Sequence, residues 1–78
     1  MLEKINNAIS EYNSYAEKKS LSSRLFYSSK DNSLYLCTNK GLEDGYLYSN
    51  LVSSKNLLCI YEAVVAIKAV MYFEFGED

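Results

Sequence analysis

Histidine, proline and tryptophan are absent from this chain of 78 residues, and glycine occurs only three times. Without histidine there is no imidazole to act as general base or metal ligand. A Ser-His-Asp or Cys-His arrangement therefore cannot be assembled within one chain. Three scattered glycines make neither a phosphate-cradling loop nor a dinucleotide fingerprint. The two cysteines, Cys37 and Cys59, are too few for a disulfide framework and do not resemble a zinc set. The expectation is two buried, reduced thiols, with a single Cys37–Cys59 bridge as the alternative for a secreted chain. Without proline, nothing enforces a kink or a cis bond. The composition thus calls for no cofactor and no metal, and it points away from an enzyme.

Net charge is small as well, although charged residues make up an ordinary 23% of the chain. Formal net charge is −2, which neither strongly attracts nor strongly repels nucleic acid. Residues 1–40 carry a net +2 and residues 41–78 a net −4, so a two-sided distribution is expected. The N-terminus, Met1-Leu2-Glu3-Lys4, has no apolar leader segment, which favours a cytoplasmic chain.

What the chain does have is apolar residues, 49% of the total. The densest stretch runs from Leu57 to Phe73 and is interrupted only by Glu62 and Lys68. A membrane span needs about 20 apolar residues and tolerates central charge poorly. This run is shorter and charged twice, so no membrane span is expected. It reads instead as a buried helix with three faces. Leu57, Ile60, Val64, Ile67 and Met71 form one stripe, and Leu58, Tyr61, Val65 and Tyr72 form a second. Cys59, Ala63, Ala66 and Val70 form a third, mostly of small side chains that permit close approach. A helix apolar on most sides is expected to be buried. Ser53 or Ser54 is the expected cap. The end is set near Tyr72, with residues 70–75 as a short strand the alternative. Glu62 and Lys68 are expected to snorkel at the edge of the buried surface.

Upstream, Leu2, Ile5, Ile9, Tyr12 and Ala16 recur at three- and four-residue spacing and predict an amphipathic helix over 2–18. Residues 24–28 and 33–38 read as strands joined by Lys30-Asp31-Asn32, where Asp and Asn suit a turn. Tyr46 to Ser49 reads as a third strand after Gly41 and Gly45. The predicted fold is a small single α+β domain over 1–78. Its order is α-β-β-β-α, with a three-stranded antiparallel sheet packed against two helices.

Tyrosine is the compositional outlier, with eight residues. If Leu25, Leu34, Leu36 and Leu47 face the helices, alternation sends Phe26, Tyr35, Tyr46 and Tyr48 to the other face and turns Tyr27 inward. Exposed aromatics of this kind are enriched at recognition surfaces. The adjacent carboxylates Glu43 and Asp44, in a predicted turn, could steer a basic partner.

These features favour a small non-catalytic module that occludes a protein partner. Compact acidic chains from phages or mobile elements often act this way on host enzymes, including defence nucleases, and that class is the expectation here. The expected contacts are Phe26, Tyr35, Tyr46, Tyr48, Glu43 and Asp44. A second reading is a homo-oligomeric structural or regulatory subunit held by Leu57, Ile60, Val64, Ile67 and Met71. A third is a nucleic-acid binder that stacks bases on Phe26, Tyr35 and Tyr46 beside Arg24, Lys30 and Lys40. It ranks lower, because net charge is negative and the glycine-aromatic signature of such sheets is missing.

Overall fold

The structure is a computed structural model that describes residues 1–39 and 46–76. The side chains of Asn39 and Tyr46 lie outside that description, as do Lys40, Glu43 and Asp44. The elements follow the expected order: α1 (Leu2–Lys18), β1 (Ser23–Ser28), β2 (Ser33–Asn39), β3 (Tyr46–Ser53) and α2 (Leu57–Phe75). The strands form one antiparallel meander in the order β1-β2-β3.

Helix α1 is amphipathic in the way its spacing dictates. Ile5, Ala8, Tyr12, Tyr15 and Ala16 are buried, and Glu3, Lys4, Glu11 and Glu17 face out. It stops in a Schellman turn. Leu21 N–H donates to the Ala16 carbonyl (2.8 Å) and Ser20 N–H to the Glu17 carbonyl (3.1 Å). Ser20 takes the left-handed conformation (φ 58°) that glycine usually supplies at this position. Leu21 then packs against the core and sets the chain into β1.

The β1–β2 turn contains Asn32 at φ 54°, in keeping with the left-handed tolerance of asparagine. The pairing Leu25↔Leu36 and Tyr27↔Leu34 sets these four residues on the helix-facing side. Leu25 and Leu34 are buried, and Tyr27 and Leu36 pack beside them. Strand β3 runs to Ser53, four residues past the expected end. Its register with β2 shifts between Leu34 and Tyr35, so Leu51 is an extra residue at a bulge. Leu47 shares the helix-facing side by register yet is exposed, because neither helix covers the start of β3.

Helix α2 corrects several expectations. Its cap is Asn56, whose Oδ1 accepts from Leu58 N–H (3.0 Å). Ser54 sits two residues further back, its Oγ accepting from Asn56 N–H (3.0 Å). Residues 70–75 are helical, and the helix ends at Phe75 against Gly76 at φ 85°. The Tyr15 hydroxyl donates to the Gly76 carbonyl (2.5 Å), with the Met71 carbonyl also in reach (3.1 Å). Carbonyls at the end of α2 thus find a donor on α1, which offsets the poor placement of Glu74 near the negative helix end.

The core is small. Ile5, Ala8, Tyr12, Ala16, Leu25, Leu34, Ile60 and Val64 form one buried cluster, drawing on both helices and two strands. Ile60 and Val64 are 0% exposed in the chain's own core, and Leu57, Ile67 and Met71 pack against it. The stripe expected to hold an oligomer together is therefore used within the chain. The helix as a whole is not buried, since Ile60 and Val64 are its only buried residues. Cys59 is exposed and Cys37 is half-buried, both free, so the expectation of two buried thiols also fails.

Candidate functional site

The sheet has one covered face and one open face. On the open face, the register aligns Phe26 with Tyr35 and Asn50, and Arg24 with Cys37 and Tyr48. Neither helix packs there, because both contribute their buried residues to the opposite side. Phe26 is 52% exposed and Tyr48 58%. Tyr35 is half-buried. The side chain of Tyr46, a further expected contact, lies outside the described residues. Of the expected contact residues, the structure thus brings Phe26, Tyr35 and Tyr48 together. Glu43 and Asp44 lie outside the described residues.

The face has internal order. The Phe26 and Tyr35 rings are 6.4 Å apart, centroid to centroid, and tilted by 35°, a cross-strand aromatic pair. The Tyr35 hydroxyl donates to the Asp31 carboxylate from the β1–β2 turn. That hydrogen bond lowers the pKa of Asp31 below its usual value and raises that of Tyr35 above 10.0. Tyr35 is therefore held in place, and Phe26 and Tyr48 present the larger exposed surfaces. Arg24 folds back along its own strand, where its Nη1 donates to the carbonyls of Leu21 (2.6 Å) and Ser23 (3.0 Å).

A second apolar surface lies on α2. Beside the core stripe, Leu58, Cys59, Val65, Ala66, Ala69, Val70 and Phe73 are exposed, with the carboxylates Glu62 and Glu74 exposed among them. Phe73 is 91% exposed and Val70 60%. Leu58 and Val65 of the second stripe and Cys59, Ala66 and Val70 of the third lie on this face, while Tyr61, Tyr72 and Ala63 are half-buried, so the helix expected to be buried is buried on one side only. The one basic residue on α2, Lys68, does not reach this surface. It pairs with Glu11 of α1 at 2.5 Å.

Among the described residues no group of three or more Cys, Asp or Glu could hold a metal ion. Asp31 and Tyr35 are an exposed surface pair and lie in no cleft. Among the described residues no helix is long and apolar enough to cross a membrane. Comparison with protein families, with curated proteins and with solved structures finds no match.

Proposed function

We propose that this chain is a non-catalytic protein-binding module that docks a protein partner on the open face of its sheet and acts by occluding it. The observation that carries the reading is the uncovered face itself, where Phe26 and Tyr48 stand more than half exposed around a fixed Tyr35. Large aromatic side chains have few rotatable bonds and bury much area, so they bind at low entropic cost. Strand backbones hold them rigidly, which further lowers the cost of docking. A protein surface suits this face better than a nucleic acid does, because Arg24 is engaged with backbone carbonyls and the net charge is negative.

The test is a nuclease-treated pull-down from the source lysate with wild type beside Phe26→Ser/Tyr48→Ser, read by mass spectrometry. Circular dichroism of the variant checks that it is folded. The expected result is one protein enriched by wild type and lost from the folded variant. Equal capture by both, or capture of nothing by either, would overturn the reading.

A further inference from the structure

The exposed face of α2 is a different surface from the open sheet face, and its geometry says what fits it. Contacts between the helices set its direction. Glu11 meets Lys68, and Tyr15 meets Tyr72 edge to face at 4.7 Å, so α1 and α2 run parallel and α1 lies along the Lys68–Tyr72 side. At 100° per residue, Cys59, Ala66 and Val70 point away from α1, with Ala63 half-buried beside them. Ala66 and Val70, with Ile67 and Met71, line a shallow apolar notch of about 210 Å³.

This flank differs from the α1 flank in one further respect. The free edge of β1 is closed by Asn13, whose side chain accepts from Leu25 N–H (2.8 Å) and donates to the Leu25 carbonyl (3.1 Å). Among the described residues no strand pairs with the outer edge of β3, and Leu47 beside it is half exposed.

We infer that the exposed face of α2 is the interface of a two-fold homodimer, in which α2 packs antiparallel against α2 of a second copy near Ala66. Three observations select a second copy as the occupant. Cys59, Ala63, Ala66, Val70 and Phe73 follow one another at steps of four, three, four and three. That is the seam of a paired helix, and small residues at its centre let two backbones approach closely. An antiparallel mate centred on Ala66 sets bulky Phe73 over Cys59, so large meets small twice by symmetry.

Charge gives the second argument. The N-terminal end of α2 has exposed Lys55 and no acid in its first turn, and the C-terminal end has exposed Glu74 and no base in its last. Each charge has the same sign as its own helix end, which is unfavourable alone. An antiparallel copy brings the basic end of one helix beside the acidic end of the other and reverses both terms. Area gives the third. Val70 and Phe73 of this face stand 60% and 91% exposed, apolar surface of the kind that a standard interface, roughly 800 Å² per partner, withdraws from water. The margin at Leu47 and the β3 edge adds to it.

The experiment is sedimentation equilibrium of the full chain at about 10 to 200 μM, beside Ala66→Glu. Wild type is expected at twice 8.9 kDa and Ala66→Glu at 8.9 kDa with an unchanged circular dichroism spectrum. A second measurement fixes orientation. Ala66→Cys in a Cys37→Ser/Cys59→Ser background is expected to form a disulfide-linked dimer readily, since residue 66 meets its own copy at the axis. A monomeric wild type across this range would overturn the inference. So would a dimeric Ala66→Glu, or an Ala66→Cys variant that fails to crosslink. The sheet-face variant Phe26→Ser/Tyr48→Ser should remain dimeric, so the two surfaces fail or stand separately.

Discussion

The two flanks of this molecule solve the same problem differently. On the α1 flank, an amphipathic helix buries one stripe, turns a charged face to water and seals the adjoining strand edge with Asn13. On the α2 flank, a helix apolar nearly all round buries one stripe in the core and leaves another in the open, beside a strand edge that nothing described covers. The difference teaches that apolar content does not by itself say where a helix lies. A helix touches its own chain on one side only as far as that chain has surface to offer. With two helices and three strands, this chain can cover about half of α2.

The sharpest way to break the comparison is to put one charge on each side of α2. Val64→Asp places a carboxylate in the core and should cost several kcal/mol, enough to unfold a domain of this size. Its neighbour Val65→Asp, on the exposed face, should leave far-ultraviolet circular dichroism and melting nearly unchanged at about 1 μM protein, where association is suppressed. Loss of structure in both variants would mean that the exposed face is not exposed.

A smaller effect tests the seal on the α1 flank. Asn13→Ala removes both hydrogen bonds to Leu25 and should lower stability by about 1–2 kcal/mol in urea titration. It also opens the β1 edge, so light scattering on prolonged incubation should rise. A loss within a few tenths would show that the clamp does little.

The sign is reversed at the end of α1. Ser20→Gly should raise stability by about 0.5–1 kcal/mol, because glycine takes φ 58° without strain. A lower melting temperature would count against the Schellman turn.

On the open sheet face the effect is spectroscopic. Asp31 has a lowered folded pKa, so its contribution is present above the usual carboxylate value and is lost as pH falls through the folded one. Tyr35 has a raised folded pKa, so its contribution holds below pH 10.0 and is lost as pH rises through the higher folded value. Asp31→Asn should bring the Tyr35 phenolate transition, followed by ultraviolet absorbance, back toward 10.0. An unmoved transition would show that the carboxylate is not its partner.

Much of this architecture was legible in the residues. The three- and four-residue spacing of Leu2, Ile5, Ile9, Tyr12 and Ala16 gives α1, although Leu2 is exposed and Ala8 is buried more deeply than Ile9, and alternation at 33–38 sets which side chains of β2 face the helices. The Asp31-Asn32 turn follows from the tolerance of asparagine for positive φ. The cap of α2 was harder, because Ser53, Ser54 and Asn56 are all competent oxygens and only the chain's path decides which one reaches an N–H. The same holds for Asn13, whose clamp on Leu25 joins residues twelve apart across two elements. The open aromatic face was readable as a parity, although the hold of Asp31 on Tyr35 was not. The exposed stripe of α2 is present in the pattern, but its exposure is not, since periodicity gives the faces of a helix and not how many of them find a neighbour.

The central claim is that the two apolar faces of α2 differ in role, one holding the fold together and the other lying outside the core. Urea unfolding of Ile60→Ala and Val70→Ala, each at about 1 μM protein to suppress association, tests it most directly. The account predicts a loss of about 2–5 kcal/mol for Ile60→Ala, from the cavity it leaves, and within about 0.5 kcal/mol of wild type for Val70→Ala. Equal losses at the two positions would contradict it, because both faces would then belong to the fold.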